Sequence, residues 1–200
     1  MEQKRPADIF QELLDYLWNG LGMEEKGWKR LKKGDFKKKT KNGLTYQIWF
    51  DWSHYNYIDY EIGHGNVEVG FSCTIKQGDD RFYSFEIEPT TGGSFFRMLT
   101  EDLLLDTGLL DTFLPLIQAH YLDFIDRFEA DPAEALHPVC APFIQPEDYS
   151  WCIHVDEQLV ERYGTPEQLA EYRHQAELRG TPEHKAKNWM GSMLFHLSHA

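Results

Sequence analysis

The chain reads LTYQIWFDWSHYNY over residues 44–57, and this stretch decides its fold. Apolar side chains stand at every second position of its first part, at Leu44, Tyr46, Ile48, Phe50 and Trp52. Because successive side chains of a strand point to opposite faces of a sheet, the alternation predicts a β-strand with one buried face. The alternation fails after Trp52, so we expect the strand to end there.

Further strands are predicted on both sides of this one. Upstream, Asn42-Gly43 separates it from the segment FKKKT and predicts a β-hairpin with a type I′ turn. Downstream, the same alternation over residues 67–75 and 83–87 predicts two more strands, joined by a short turn at residues 77–80. Parallel strands need a crossover of a dozen or more residues, so we expect an antiparallel meander of about four strands.

Helices are predicted before and after the meander. Residues 6–21 carry apolar side chains at spacings of three and four, and Ser94 is a candidate N-cap for a helix that ends near Leu105. A third helix is expected through Phe128 with Thr112 as its N-cap, which would put Pro115 in the first turn. The fold class is therefore α+β, with an N-terminal helix and further helices that cover one face of the sheet.

The C-terminal third reads as an extension of this core. We divide the chain into an α+β core domain, residues 1–130, and a mostly helical extension, residues 131–200, packed on it. Within the extension we expect a short strand from Trp151 to Val155 and two helices that begin at Thr165-Pro166 and Thr181-Pro182. The last of these helices would bury one apolar side, formed by Trp189, Met190, Met193, Leu194 and Leu197.

Charge is unevenly distributed along the chain. The net charge is −13, yet residues 1–41 hold 11 Lys and Arg against 7 Asp and Glu, and residues 42–200 hold 9 against 26. An acidic body attracts basic partners over long range. The chain has neither an N-terminal apolar signal segment nor an apolar run of membrane-spanning length, and its three cysteines suit a reducing compartment. We therefore expect a cytoplasmic protein with no membrane partner.

Motifs that would indicate an enzyme are missing from the sequence. The patterns GxGxxG, GxxxxGK[ST], GxSxG and HExxH are all absent, and no cofactor is expected. Carboxylate pairs at Asp59 with Glu61 and at Glu86 with Glu88 could share a strand face, as acid–base chemistry requires. A metal site is conceivable from a scattered set of four residues, His137, Cys140, Cys152 and His154. A metal- or carboxylate-dependent hydrolase is thus the alternative from another class.

Basic residues concentrate between Lys26 and Lys41, where nine Lys and Arg stand. Together with nearby tryptophans, this stretch would suit an RNA-associated module. Two facts argue against nucleic acid. The whole chain is acidic, and lysines on an edge strand, which we expect this to be, also prevent edge-to-edge aggregation.

The aromatic and polar residues around the end of the central strand form a candidate protein interface. Aromatic side chains beside polar groups are enriched at interfaces, because they bury a large area at small entropic cost. The alternative is that these rings pack under the C-terminal helices. The candidate residues are Trp49, Trp52, His54, Tyr55, Asn56 and Tyr57.

The chain over residues 8–90 resembles small bacterial domains of unknown function with members in the immunity-protein repertoire. The pattern is a helix, a basic F-K-K strand, an aromatic strand ending in S-x-x-N and a further apolar strand. The matching positions are Phe36, Lys37, Lys38, Phe50, Ser53 and Asn56. The resemblance implies a binding role and supplies no catalytic residue. The combined expectation is a non-enzymatic, immunity- or antitoxin-like protein that neutralises a basic toxin.

Overall fold

The computed structural model describes residues 3–41, 43–87, 95–144 and 151–179. Its α-helices are α1 Pro6–Gly20, α2 Thr107–Ile117, α3 Asp123–Ala130, α4 Pro132–Leu136, α5 Glu157–Tyr163 and α6 Pro166–Arg179. A π-helix, Gln118–Leu122, joins α2 to α3, and a 3₁₀ turn, His137–Val139, follows α4. The strands are β1 Lys29–Arg30, β2 Phe36–Lys39, β3 Leu44–Trp52, β4 Tyr57–Asp59, β5 His64–Asn66, β6 Glu68–Gln77, β7 Asp80–Ile87, β8 Phe96–Arg97, β9 Phe143–Ile144 and β10 Trp151–Val155.

The main sheet is antiparallel throughout the described residues. Its strands follow the order β1-β2-β3-β6-β7-β10-β9, and β8 pairs with the start of β6. Strands β4 and β5 form a separate two-stranded sheet. The four predicted strands, β2, β3, β6 and β7, lie side by side at its centre, so the predicted α+β class with an antiparallel sheet is confirmed.

The apolar face of the sheet packs against helices, as its alternation requires. Helix α1 covers β2 and β3, where the Trp18 ring lies 5.1 Å from Phe36. The segment from α2 to α3 covers β6 and β7, where Tyr83 stacks on Phe124 at 4.4 Å. The segment of the helix expected through Phe128 buries seven large apolar side chains, Leu110, Phe113, Ile117, Tyr121, Phe124, Ile125 and Phe128.

The turn between β2 and β3 is longer than the sequence predicts. The backbone N–H of Thr40 donates to the carbonyl of Leu44 at 3.0 Å, which leaves three residues in the loop. Gly43 has a φ of +88°, the left-handed conformation that closes such loops. The hairpin is therefore confirmed, but a two-residue type I′ turn at Asn42-Gly43 is wrong.

Two predicted helix positions are wrong. The segment expected as a helix from Ser94 to Leu105 contains strand β8, whose Phe96 pairs with Val69, and a bridge from Leu99 to Leu105. Pairing with the start of β6 satisfies the backbone of Phe96 and Arg97, so this segment extends the sheet and does not form a helix.

The other error concerns where α2 begins. Asp106 caps the helix by accepting the N–H of Leu109 at 2.9 Å, whereas Thr112 lies inside it. Pro115 therefore stands in the helix interior, where it removes a backbone hydrogen bond. The π-helix begins three residues later.

Part of the predicted C-terminal extension belongs to the main sheet. Strand β10 is confirmed, and it pairs with β7 from Trp151 opposite Ile87 to Val155 opposite Tyr83. The helix start at Thr165 is also confirmed, since Thr165 and Gln168 each accept the other's backbone N–H at 3.2 and 2.8 Å. The start at Thr181-Pro182 and the last predicted helix lie outside the described residues.

The basic stretch forms β1 and β2. Strand β1 pairs with the first two residues of β2, on the side away from β3. Strand β2 is therefore an edge strand over only part of its length. Lys38 turns toward α3, where its ammonium lies 3.7 Å from Asp126 and 3.6 Å from Glu129. Part of the positive charge of the basic stretch is thus neutralised by ion pairs within the fold. Across the described residues, no helix is long and apolar enough to cross a membrane.

Candidate protein-binding surface

A small hairpin follows β3 and leaves the main sheet; we call residues 53–66 the exposed hairpin. Strand β4 pairs with β5 from Tyr57 opposite Asn66 to Asp59 opposite His64. The Asp59 carboxylate accepts the backbone N–H groups of Glu61 and Ile62 at 2.9 and 3.2 Å, which turns the chain. Asp59 and Glu61 therefore do not share a strand face, contrary to the sequence expectation. The other expected pair cannot be compared, because Glu88 lies outside the described residues.

Side-chain hydrogen bonds attach the exposed hairpin to the start of β6. The Asn56 side chain donates to the carbonyl of Glu68 at 3.1 Å and accepts the N–H of Glu68 at 2.8 Å. The Ser53 hydroxyl accepts the N–H of Tyr55 at 3.3 Å. The S-x-x-N pattern thus has a structural role, because it fixes the chain where the hairpin leaves β3.

The hairpin also contacts the N-terminus and strand β8. The Tyr60 hydroxyl accepts the backbone N–H of Lys4 at 2.9 Å, and the Arg97 guanidinium donates to the carbonyl of Gly65 at 2.9 Å. A Cβ at Gly65 would lie 3.1 Å from the Leu99 side chain and 3.2 Å from the Tyr57 carbonyl oxygen. Only glycine allows this close approach without displacement, so the hairpin is held against the body of the fold.

Large apolar side chains are exposed on this hairpin and beside it. The exposed fractions are 36% for Trp52, 73% for Tyr55, 44% for Tyr57 and 71% for Ile62. Tyr55 lies on the His54 ring at 3.9 Å, and the Tyr57 hydroxyl is 2.6 Å from Nδ1 of His64. A concentration of exposed aromatic rings in one short segment is typical of a protein interface.

The same segment is uniformly acidic. From Asp51 to Glu68 the sequence contains four carboxylates, at Asp51, Asp59, Glu61 and Glu68, and no Lys or Arg. Within the described residues, Asp51, Asp59 and Glu61 form no ion pair. The hairpin therefore presents rings together with negative charge that the fold does not neutralise.

Four of the six candidate interface residues are exposed, and the other two are half-buried. Trp52, His54, Tyr55 and Tyr57 lie on or beside the exposed hairpin. Asn56 is half-buried and serves the backbone. Trp49 points to the other face of the main sheet, where its indole N–H donates to the Thr74 hydroxyl at 3.2 Å.

Ile62 is the exposed residue that sequence reasoning missed. It stands between Glu61 and Gly63 at the turn of the hairpin, and Gly63 has a φ of +66°. The Ile-Gly step after two acidic residues signals a turn, and an apolar residue at a turn tip is exposed because the tip projects from the core.

The four candidate metal ligands fall into two pairs, His137 with Cys140 just after α4 and Cys152 with His154 on β10. His137 and Cys140 line a cavity of about 510 Å³ between α4 and α6, together with Glu171. The Cys140 thiol donates to the Leu136 carbonyl at 2.9 Å, and burial raises its pKa. Among the described residues, no three His, Cys, Asp or Glu side chains converge as a metal site would require.

Cys152 and His154 belong to β10. His154 lines another cavity, of about 380 Å³, with Arg81 and Tyr172. Burial lowers the pKa of His154, which favours its neutral form. His154 and the pair that follows α4 therefore line different cavities.

No protein-family model, curated protein sequence or solved structure matches this chain. What this chain binds is therefore inferred from its own surface, and the resemblance to immunity-type domains stays a prediction.

Proposed function

We propose that this chain is a non-enzymatic protein that binds a basic protein partner through the exposed hairpin. The role that fits this binding is that of a bacterial immunity or antitoxin-like protein that neutralises a basic toxin. The observation that carries the proposal is the exposure of Tyr55, Tyr57 and Ile62 on a hairpin whose backbone is fixed to the rest of the fold.

Fixed aromatic side chains are efficient binding groups. Tyrosine and tryptophan dominate interface energetics, and each buries a large area with few rotatable bonds. The hydrogen bonds from Asn56 to Glu68 and from Tyr60 to Lys4 hold the hairpin before a partner arrives. Less conformational entropy is then lost on association, which strengthens binding.

The charge of the surface specifies the kind of partner. Asp59 and Glu61 stand beside the exposed rings, and the chain as a whole carries −13. Opposite charge on the partner raises the rate of encounter, and like charge on a wrong partner is costly. A basic protein surface with an apolar pocket for Tyr55 is therefore the complement of the exposed hairpin.

Binding should be measured against the protein encoded next to the gene for this chain, by surface plasmon resonance. We expect Tyr55→Ala to weaken binding by about 2 kcal/mol, close to thirtyfold, mainly through a faster off-rate. Leu178→Ala is the matched control, because Leu178 is 41% exposed on α6 and lies outside the hairpin.

The electrostatic part has its own test. Glu61→Gln should lower the on-rate and its salt dependence, since screening weakens exposed charges. Asp79→Asn is the control, because it lies at the far end of β6 from the hairpin. A neighbouring metabolic enzyme instead of a toxin would contradict the immunity role. Binding that Tyr55→Ala leaves unchanged would contradict the interface.

A further inference from the structure

The face of the main sheet that points away from α1, α2 and α3 carries polar and charged side chains; we call it the outer sheet face. Trp49 and Asp51 of β3 alternate with core residues, as do Ser72, Thr74 and Lys76 of β6. Glu86 of β7 pairs with Ser72 and continues the same face. This surface is separate from the exposed hairpin and takes no part in the function proposed above.

A cavity of about 350 Å³ lies on the outer sheet face. Its lining consists of Trp49, Asp51, Ser72, Thr74, Lys76, Arg81 and Glu86. The volume is at the lower end of the range for small-molecule sites, so it suits a small ligand. Two of the lining side chains are cations and two are carboxylates, so their charges cancel and the lining favours neither an anion nor a cation alone.

Two charges of opposite sign in this cavity, those of Lys76 and Asp51, have no ion-pair partner among the described residues. The Lys76 ammonium lies 4.7 Å from the centre of the Trp49 ring, and within the described residues it forms no ion pair. Asp51 likewise has no cationic partner there. Arg81 donates to the Ser84 hydroxyl at 2.5 Å and is 3.8 Å from Glu86, a distance that orients the guanidinium and leaves its other donors available.

The lining calls for a ligand with two opposite charges. Lys76 and Arg81 line the cavity together with Asp51, and within the described residues neither Lys76 nor Asp51 forms an ion pair. A ligand that contacts both kinds of side chain must carry a carboxylate and an ammonium. The cavity therefore matches a short zwitterion in both charge and size.

We propose that the outer sheet face binds a dipeptide-sized zwitterion in this cavity. Its carboxylate contacts Lys76 and Arg81, its ammonium contacts Asp51, and its backbone lies against the Trp49 ring. Such a site would make the chain responsive to a small peptide in addition to its protein partner.

The test is a titration of the full chain with diglycine, followed through the indole N–H signal of Trp49 by NMR. Trp49→Phe assigns that signal by removing it. We expect diglycine to shift it in a saturable way. Acetyl-diglycine, which has lost the ammonium, and glycylglycinamide, which has lost the carboxylate, should each bind about tenfold more weakly, because each leaves one charged partner without its ligand group.

Variants locate the site. Lys76→Gln, Arg81→Gln and Asp51→Asn should each weaken diglycine binding about tenfold. Lys41→Gln and Asp79→Asn remove the same charges from exposed turns and should leave binding unchanged. A thermal melt of every variant checks that the fold is retained. A Trp49 signal that diglycine does not shift, or a blocked peptide that binds as tightly as diglycine, would overturn the proposal.

Discussion

Strand β3 and the exposed hairpin are neighbours in sequence and both are rich in aromatic residues, yet they use these residues in opposite ways. The rings of Tyr46 and Phe50 on β3 are buried under the helices, and Phe50 lies 4.8 Å from Phe36 and 5.8 Å from Phe71. The rings of the hairpin face outward, and Tyr55 is 73% exposed. The same residue type stabilises the fold in one segment and is available to a partner in the next.

The contrast has a simple physical cause. Strand β3 has neighbours on both edges and helices on its apolar face, so Tyr46 and Phe50 are removed from water by folding. The strands of the exposed hairpin pair only with each other, and the hydrogen bonds between the Asn56 side chain and Glu68, together with the packing of Ile58 and Tyr60, fix its position while Tyr55 stays exposed. Ring substitutions should therefore affect stability in β3 and binding in the hairpin.

The largest expected effect on stability is that of Phe50→Ala. This side chain is 8% exposed among other aromatic rings, so its loss leaves a cavity in the core. We expect the free energy of unfolding to fall by about 3–5 kcal/mol in urea denaturation. Tyr55→Ala is the comparison variant and should change it by less than about 0.5 kcal/mol. Equal losses in the two variants would break the contrast.

The next effect concerns how the hairpin is attached. Asn56→Ala removes both hydrogen bonds to Glu68, and we expect a loss of about 1–3 kcal/mol. Hydrogen exchange of the Glu68 amide should accelerate, because its acceptor is gone. Asn66→Ala is the matched control, since Asn66 lies in the same hairpin and its side chain has no hydrogen bond to another described residue. Unchanged exchange at Glu68 would show that packing alone holds the hairpin.

A smaller effect of opposite sign is expected at Tyr46 on β3. Its hydroxyl is buried and has no hydrogen-bond partner among the described residues, and burial raises its pKa. Tyr46→Phe removes the unpaired group and keeps the ring. We expect the free energy of unfolding to rise by about 1 kcal/mol and the melting temperature to rise with it. Tyr57→Phe provides the hairpin counterpart, because the Tyr57 hydroxyl is bonded to His64. A melting temperature that falls in Tyr46→Phe would mean that this hydroxyl is satisfied.

The smallest expected effect is a dependence of the free energy of unfolding on pH, which arises from His120. His120 stacks on Phe85 at 5.1 Å, and burial followed by the charge of Arg127 lowers its pKa below 6.5. Below pH 6.5, His120 takes up a proton more readily in the unfolded chain than in the folded chain, so the free energy of unfolding falls as the pH drops. Above pH 6.5, the contribution of neutral His120 to stability is fully present.

The free energy of unfolding at pH 7.5 and 5.5, measured in urea, checks this expectation. His120→Gln should reduce the difference between the two values. A difference that His120→Gln does not reduce would assign the dependence to other groups, of which His154 is the first to test because its pKa is also lowered.

Much of the sheet could be predicted because the alternation of apolar residues is strong in β3, β6 and β7. The segment after residue 94 could not, since its two-residue strand β8 exists only because β6 has an unpaired stretch opposite Phe96. The start of α2 was misplaced for a related reason. Thr112 and Asp106 are both acceptable caps, and the choice depends on which turn fits the sheet beneath.

The candidate interface was predictable in part. The loss of alternation after Trp52 marks the segment, and the composition marks it as aromatic and acidic. The alternation assigns Trp49 and Trp52 to opposite faces of β3, but it could not show that Trp52 is exposed whereas Phe50, on the same face, is buried. Asn56 is a polar residue among aromatic ones, which is typical of an interface, but its contact with Glu68 arises only when β6 is in place.

By itself, the sequence determined the class of the fold, the strands with a two-residue period and the excess of negative charge, because all three depend on residue type and local spacing. The tertiary structure alone decided which aromatic rings are covered, since coverage depends on which surfaces meet after the chain has folded. For this protein that difference separates a stabilising ring at Phe50 from an exposed one at Tyr55, only five positions later.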